Sequence, residues 1–185
     1  VSILTTTADL EASLHHLRTA PADTGTLEMV VRRPDTGVRE ILDEGLLDET
    51  SGLVGDNWLS RATSRAIAEG RHVDAMITVM SARMIGLLGD TADVRALAGD
   101  QLYVDVDLSH DNLPAGSRVA LGEDAVLEVT SKPHAGCKKF LARFGADALA
   151  FVNGDVGSRL RLRGLNARVV QGGLVRPGDV VRRIR

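Results

Sequence analysis

A chain of 185 residues, 44% apolar and 25% charged, is long enough to bury ~70% of its unfolded surface as a soluble globular protein. No apolar run approaches the ~18 residues of a membrane span, and the N-terminus, with Asp9 and Glu11, lacks the basic-then-apolar block of a signal peptide. Net charge is −3 and there is one cysteine, which excludes an intramolecular disulfide framework and a Cys-rich zinc site.

The expected compartment is the cytoplasm. With aromatics at 3%, the core is expected to be Leu, Val, Ile and Ala. Charge is unevenly spread: residues 1–60 carry four Arg against eleven Asp and Glu, and residues 159–185 carry eight Arg against one Asp. The basic segment has no aromatic side chain on which a base would stack, so the pattern points to a small anionic ligand and away from nucleic acid.

Thr7 to Arg18 reads as an amphipathic helix, with Leu10, Leu14 and Leu17 on one face, Thr7 at its cap and Pro21 beyond its end. From Thr26 the texture changes to short β-like runs. Leu27–Arg33 and Val38–Leu42, joined by Pro34-Asp35-Thr36-Gly37, predict a hairpin. Leu46–Ser60 is turn-rich, Ala75–Met80 is an apolar strand, and Ser81 caps a short helix through Leu88.

Gln101–Leu108, Ser117–Leu121 and Ala125–Thr130 read as strands. Cys137, Phe140, Leu141 and Phe144 fall at i, i+3, i+4 and i+7, a helix that Gly145 stops. Ala146–Val152 reads as a second short helix ending at Asn153-Gly154. Arg159–Arg163, Ala167–Gln171 and Asp179–Ile184 read as closing strands. Many short strands with few helices predict a mainly β fold: a closed or partly closed barrel with several short helices packed on it. The expected division is a helical lead-in over 1–25 and one barrel domain over 26–185.

The most informative stretch is Ser131-Lys132-Pro133-His134-Ala135-Gly136-Cys137-Lys138-Lys139-Phe140. The chain has nineteen arginines and three lysines, and all three lysines flank the only thiol. Cys137 also opens a helix, whose unpaired N–H groups favour an anion. Both effects favour the thiolate, able to ligate a soft metal, carry a persulfide sulfur or attack an electrophile. The competing reading is an inert thiol buried with Phe140 and Phe144. His134 is a candidate base, but no orienting carboxylate is apparent nearby in sequence.

Two further segments carry candidate ligand contacts. Gly52-Leu53-Val54-Gly55-Asp56-Asn57-Trp58 permits a tight turn and offers an acceptor, an amide and the only indole. Arg159-Leu160-Arg161-Leu162-Arg163 places three guanidinium groups on one strand face, a face expected to be mostly solvated. Arg168, beside Asn166, is the stronger candidate for anion recognition.

Together these segments resemble the MOSC domain, the module at the C-terminus of molybdenum cofactor sulfurases. The resemblance runs from about Thr26 to the end. It rests on Gly52-Leu53-Val54-Gly55-Asp56, on Gly99-Asp100-Gln101-Leu102 leading to Leu113-Pro114-Ala115-Gly116-Ser117, and on Leu121-Gly122 with Leu127-Glu128-Val129-Thr130. Gly136-Cys137-Lys138-Lys139-Phe140, Gly164-Leu165-Asn166-Ala167-Arg168-Val169 and Gly172-Gly173 with Arg176-Pro177-Gly178-Asp179 complete it.

The resemblance implies a barrel-like fold and a role for Cys137 as the ligand of molybdenum in a bound molybdopterin cofactor, or as the acceptor of sulfur for transfer to it. Lys132, Lys138, Arg168 and Asn166 are the expected phosphate or pterin contacts, with Asp56 and Asn57 on the facing loop. The expected function is a molybdenum cofactor-binding module or sulfur carrier. Two alternatives are a molybdenum-dependent reductase of N-hydroxylated compounds, served by an electron-donor protein, and a persulfide-accepting partner of a separate cysteine desulfurase. This sequence shows neither the pyridoxal phosphate-dependent domain of full-length sulfurases nor the N-terminal β-rich extension of the amidoxime reductases. Pyridoxal phosphate is therefore expected only on a partner.

Overall fold

The computed structural model describes residues 5–184; the first four residues of the lead-in and Arg185 of the basic segment lie outside the described residues. The chain opens with α1 (Thr7–Ala12) and α2 (Leu14–Arg18), then runs through β1 (Thr24–Arg32), β2 (Glu40–Leu42), β3 (Gly45–Asp48) and β4 (Gly52–Leu53). Helix α3 (Ser64–Ala68) and a 3-10 turn (Arg71–Ala75) lead to β5 (Ile77–Ser81), α4 (Ala82–Gly86), α5 (Ala92–Ala96) and β6 (Leu102–Asp105). Strands β7 (Arg118–Leu121) and β8 (Ala125–Val129) precede α6 (Lys138–Asn153) and α7 (Asp155–Arg159). Strands β9 (Leu165–Gln171), β10 (Gly173–Val175) and β11 (Val180–Ile184) follow.

Seven strands close into a barrel in the order β1-β11-β7-β8-β9-β5-β6 and back to β1, with β2 added outside the ring. Only β5 and β6 pair in parallel. A parallel pair needs a crossover, and α4 and α5 provide it. The expected hairpin is present, with Val30, Val31 and Arg32 paired to Leu42, Ile41 and Glu40. A separate three-stranded sheet, β10-β3-β4, occupies part of what reads in sequence as a turn-rich stretch.

Strand alternation divides the core in two. Val79, Leu102 and Val104 face the barrel interior, whereas Met80 and Tyr103 face outward against the helices with Phe140, Phe144, Ala148 and Val152 of α6. The interior is filled by aliphatic side chains that leave a void of only about 20 Å³, so a ligand has to bind outside the barrel. Among the described residues no helix is long and apolar enough to cross a membrane.

Three expectations about elements need correction. The N-terminal helix is broken at Ser13, and its cap is Thr6, whose hydroxyl accepts the Asp9 N–H while the Asp9 carboxylate accepts the Thr6 N–H. Cys137 is the N-cap of α6 and is not itself helical. Arg159–Arg163 is not a strand: α7 ends at Arg159, and Arg161 turns through a left-handed φ of 49°. Its alternating pattern is overridden because Leu160 and Leu162 both join the helix-side core while the Arg161 guanidinium bonds the Leu113 carbonyl at 2.5 Å. The stop expected at Gly145 is present as a kink with φ 88° and ψ 173°, after which the expected second helical stretch continues to Asn153 within α6.

Candidate functional site

The Lys132–Ala135 loop is fixed from below by Asn166, whose amide donates to the carbonyls of Lys132 and Pro133, both at 3.1 Å. Asn153 grips Gly136 from both sides, accepting its N–H at 2.7 Å and donating to its carbonyl at 3.1 Å. A side chain at Gly136 would meet Leu149 at 2.6 Å, so the glycine lets the chain pass close to α6. These clamps set the position of Cys137, which is exposed. The buried, inert thiol is thereby corrected: Phe140 and Phe144 are buried, and the N-cap sulfur is outside their core.

Cys137 borders a cleft of about 980 Å³. Its walls come from the Asn57–Ala66 segment, the Arg71–Ala75 turn, the start of β9, the Lys132–Ala135 loop and one face of α6. Lys139, Ala142 and Arg143, spaced i, i+3 and i+4, form that helical face. Eight lining residues are Arg or Lys and one, Asp35, is acidic. At the wall opposite α6, the rings of Trp58 and His72 stack with centroids 5.7 Å apart and planes 4° from parallel.

Partial burial raises the Cys137 pKa, but the N–H groups of Phe140 and Lys139 and the charges of Arg163 and Lys139 outweigh it, holding the thiol below its ordinary value. The two N–H groups act as an oriented field; neither makes a capping hydrogen bond to the sulfur. Beneath lies a buried charge cluster. Arg163 donates to Asp100 Oδ2 at 2.6 Å and to the Ala98 carbonyl at 3.1 Å, and its guanidinium lies 5.0 Å above the Phe140 ring centre. His134 Nε2 is 2.6 Å from Asp100 Oδ1. Burial pushes the Asp100 pKa up, yet the charges and hydrogen bonds of Arg163 and His134 prevail and bring it to about 2.

Arginines also crowd around Gly99. A Cβ there would lie 3.2 Å from Arg39 Nη2 and 3.6 Å from Arg143 Nη1, and Arg33 donates to the Gly99 carbonyl at 2.8 Å. Partial burial and the charges of Arg143, Arg33 and Arg61 lower the Arg39 pKa. Four buried side-chain polar atoms among the described residues lack a partner: Arg39 Nε, Asn57 Oδ1, His72 Nδ1 and Arg163 Nε. All four belong to residues of this one cleft.

Of the residues nominated from sequence, Cys137, Lys132, Asn57 and Asn166 line the cleft. Lys138 does not. Asp56 is turned inward: its carboxylate receives the Arg33 N–H, Nε and Nη2 at 2.8–2.9 Å and the Trp58 N–H at 3.0 Å, fixing the corner that presents Asn57. Arg168 sits directly across from Glu128 in the β8–β9 register and pairs with it on the outer strand face. Arg163, from the row expected to be solvated, is 5% exposed and central. Arg39, Arg61, Arg143 and His72 escape a sequence reading, although Lys139 and Arg143, at i and i+4, share a helix face distinct from that of Phe140 and Phe144. Asp100 is the orienting carboxylate for His134, 34 residues away in sequence.

No protein-family model matches the chain, and no curated protein matches it in sequence. Solved structures do resemble it. The YuaD protein of Bacillus subtilis superposes with a TM-score of 0.58 at 18% identity, over 85% of this chain and 94% of that one. YiiM of Geobacillus stearothermophilus gives 0.53 at 15% identity, over 89% and 74%. YiiM of Escherichia coli gives 0.50 at 18% identity, over 86% and 70%. At such identities the likeness is one of architecture, and the chain has the MOSC-like fold that these proteins share.

Proposed function

We propose that the cleft binds a molybdopterin-type molybdenum cofactor and that Cys137 is its protein sulfur ligand or the carrier of sulfur to it. The observation that carries this reading is an exposed Cys137, its pKa held below the ordinary value, at the edge of a cleft lined by eight Arg or Lys side chains and one acid. Such a lining suits a ligand that carries a phosphate.

The donor set fits such a group in a second respect. Among the described residues no three His, Cys, Asp or Glu side chains are grouped to hold a metal ion, so a metal here arrives with ligands of its own and takes one soft thiolate from the protein. Arg39, Arg61 and Arg143 would hold the phosphate, Lys132 and Lys139 would flank the sulfur, and the Trp58–His72 stack offers an aromatic wall. When bound, the molybdenum centre supplies two-electron atom-transfer chemistry. The chain's own residues would lower the pKa of the thiol, bind the anion and orient both.

The test is to purify the protein from a cofactor-producing host and measure molybdenum and pterin, with and without Cys137→Ala. Molybdenum in the wild type and its loss in the variant are expected. Equal, negligible metal in both removes the reading. Intact-mass analysis after incubation with a desulfurase and cysteine separates the carrier role, which predicts one added sulfur on Cys137.

A further inference from the structure

His134 occupies the partition between two cavities. One side is the large cleft, and the other is a pocket of about 170 Å³ bordered by His110, Ser131, Ser158 and Arg161. Its Nε2 has two close neighbours, Asp100 Oδ1 at 2.6 Å and Arg163 Nη1 at 2.9 Å. Both cannot be hydrogen bonds to a neutral ring with an ionised carboxylate, because Nε2 would have to donate and accept at once. Asp100 is fully buried and already receives an Arg163 N–H on its other oxygen at 2.6 Å. The carboxylate is therefore the acceptor on both sides, Nε2 carries the proton, and Arg163 Nη1 is spent on Asp100. The remaining nitrogen, Nδ1, has no hydrogen bond to the protein and is not among the buried partnerless atoms; it opens to the cavities that the ring lines.

We propose that His134 is the proton-transfer residue of this cleft, held by Asp100 as the Nε2–H tautomer with Nδ1 presented to a ligand seated beside Cys137. Nδ1 first takes a proton from solvent, giving the imidazolium; that proton then passes to a lone pair of the ligand, forming the new bond there, while the electron pair of the broken N–H bond returns to Nδ1 and restores the neutral Nε2–H ring. Asp100 does not exchange its charge; it orients the ring and stabilises the imidazolium. The charged and titratable groups facing the ring are Asp100 and Arg163 in contact, Lys132 on its own loop, Cys137 and Lys139 from the α6 side, and His110 and Arg161 across the small pocket. The identity of the ligand rests on the reading above, whereas the state of the ring does not.

The first experiment is long-range proton–nitrogen NMR on the 15N-labelled, cofactor-free protein. The His134 ring is assigned among the five histidines by its loss in His134→Gln. Wild type should show a protonated Nε2 and a bare Nδ1 in the neutral ring. Asp100→Asn should release the tautomer to a mixture. A protonated Nδ1 in the neutral ring overturns the proposal. The wild-type spectrum requires no variant, so the outcome does not depend on whether Asp100→Asn folds.

The second experiment follows reduction of a model amidoxime by protein carrying measured molybdenum. Turnover per molybdenum in His134→Gln should fall about 10²-fold. Unchanged turnover per molybdenum overturns the proposal. Absence of molybdenum from the wild type overturns the cofactor reading instead and leaves the NMR to decide on His134.

Discussion

Neutralising Asp100 removes the anion on which the cleft floor is assembled. Asp100→Asn keeps the shape of the side chain but leaves the Arg163 charge, on a residue 5% exposed, facing an amide. Breaking a buried ion pair at one partner costs ~3–5 kcal/mol. A second route gives a consistent scale: a fully buried carboxyl held at about 2 instead of 3.8 contributes about 2 kcal/mol to stability. Because the folded-state value is depressed, that contribution is complete above pH ~4 and is lost as the pH falls from 3.8 towards about 2. The expected loss for Asp100→Asn at pH 7 is therefore about 3 kcal/mol, or roughly 6–12 °C in melting temperature for a chain of this size. The assay is urea unfolding of both proteins at pH 7 and through the acid range. The gap between them should narrow by about 1 kcal/mol at pH 3 and by about 2 kcal/mol near pH 2. A double variant, Asp100→Asn with Arg163→Met, should be less damaged than the sum of the single variants, since neither charge is then left unpaired. A single-variant loss under ~1 kcal/mol, or strict additivity in the pair, refutes the reasoning.

Cys137 should be alkylated by iodoacetamide in the native protein with a midpoint below that of an ordinary thiol, and Lys139→Glu should move the midpoint up, because it replaces a favourable charge with an unfavourable one. Arg39→Met should not destabilise the free protein, since it relieves the repulsion from Arg143, Arg33 and Arg61, but should abolish the rise in melting temperature given by inorganic phosphate in a thermal-shift titration. Gly164→Ala would place a Cβ 1.9 Å from the Val79 carbonyl oxygen at a φ of 105°, and should lower stability by about 3 kcal/mol in chemical denaturation.

The barrel is legible in sequence because its strands alternate and its turns carry glycine, proline and asparagine at the required places; the hairpin at Pro34–Gly37 and the bend at Gly145 follow from those signals alone. Periodicity fails where a side chain finds a stronger partner than the pattern implies. Arg161 is drawn to backbone carbonyls, so Arg159–Arg163 coils away from the extended form its alternation suggests. The thiol and its lysines are visible as a cluster in sequence because they are adjacent. Asp100 and His134, or Arg39 and Arg143, meet only after the barrel closes, and no spacing rule anticipates such a meeting. Asp56 illustrates the opposite error: an exposed-looking acid in a glycine turn proves to be 0% exposed and committed to Arg33.

The positive charge of the cleft is a matter of placement, not of supply. The chain has 25 acidic residues against 22 Lys and Arg, and several cations outside the cleft meet an acid: Arg83 with Asp105, Arg159 with Asp111, Arg168 with Glu128 and Arg176 with Glu44. Three of the eight lining cations are paired as well, Arg33 with Asp56, Arg71 with Glu69 and Arg163 with Asp100. Of the described arginines from 159 onward, only Arg163 lines the cleft. Like charges held together work against folding, so a cationic lining of this kind suits an anion from outside the chain. Arg163 joins the two halves of the arrangement: one guanidinium helps lower the Cys137 pKa and grips Asp100. The field that lowers the pKa of the thiol is thus the same field that an anionic guest would meet.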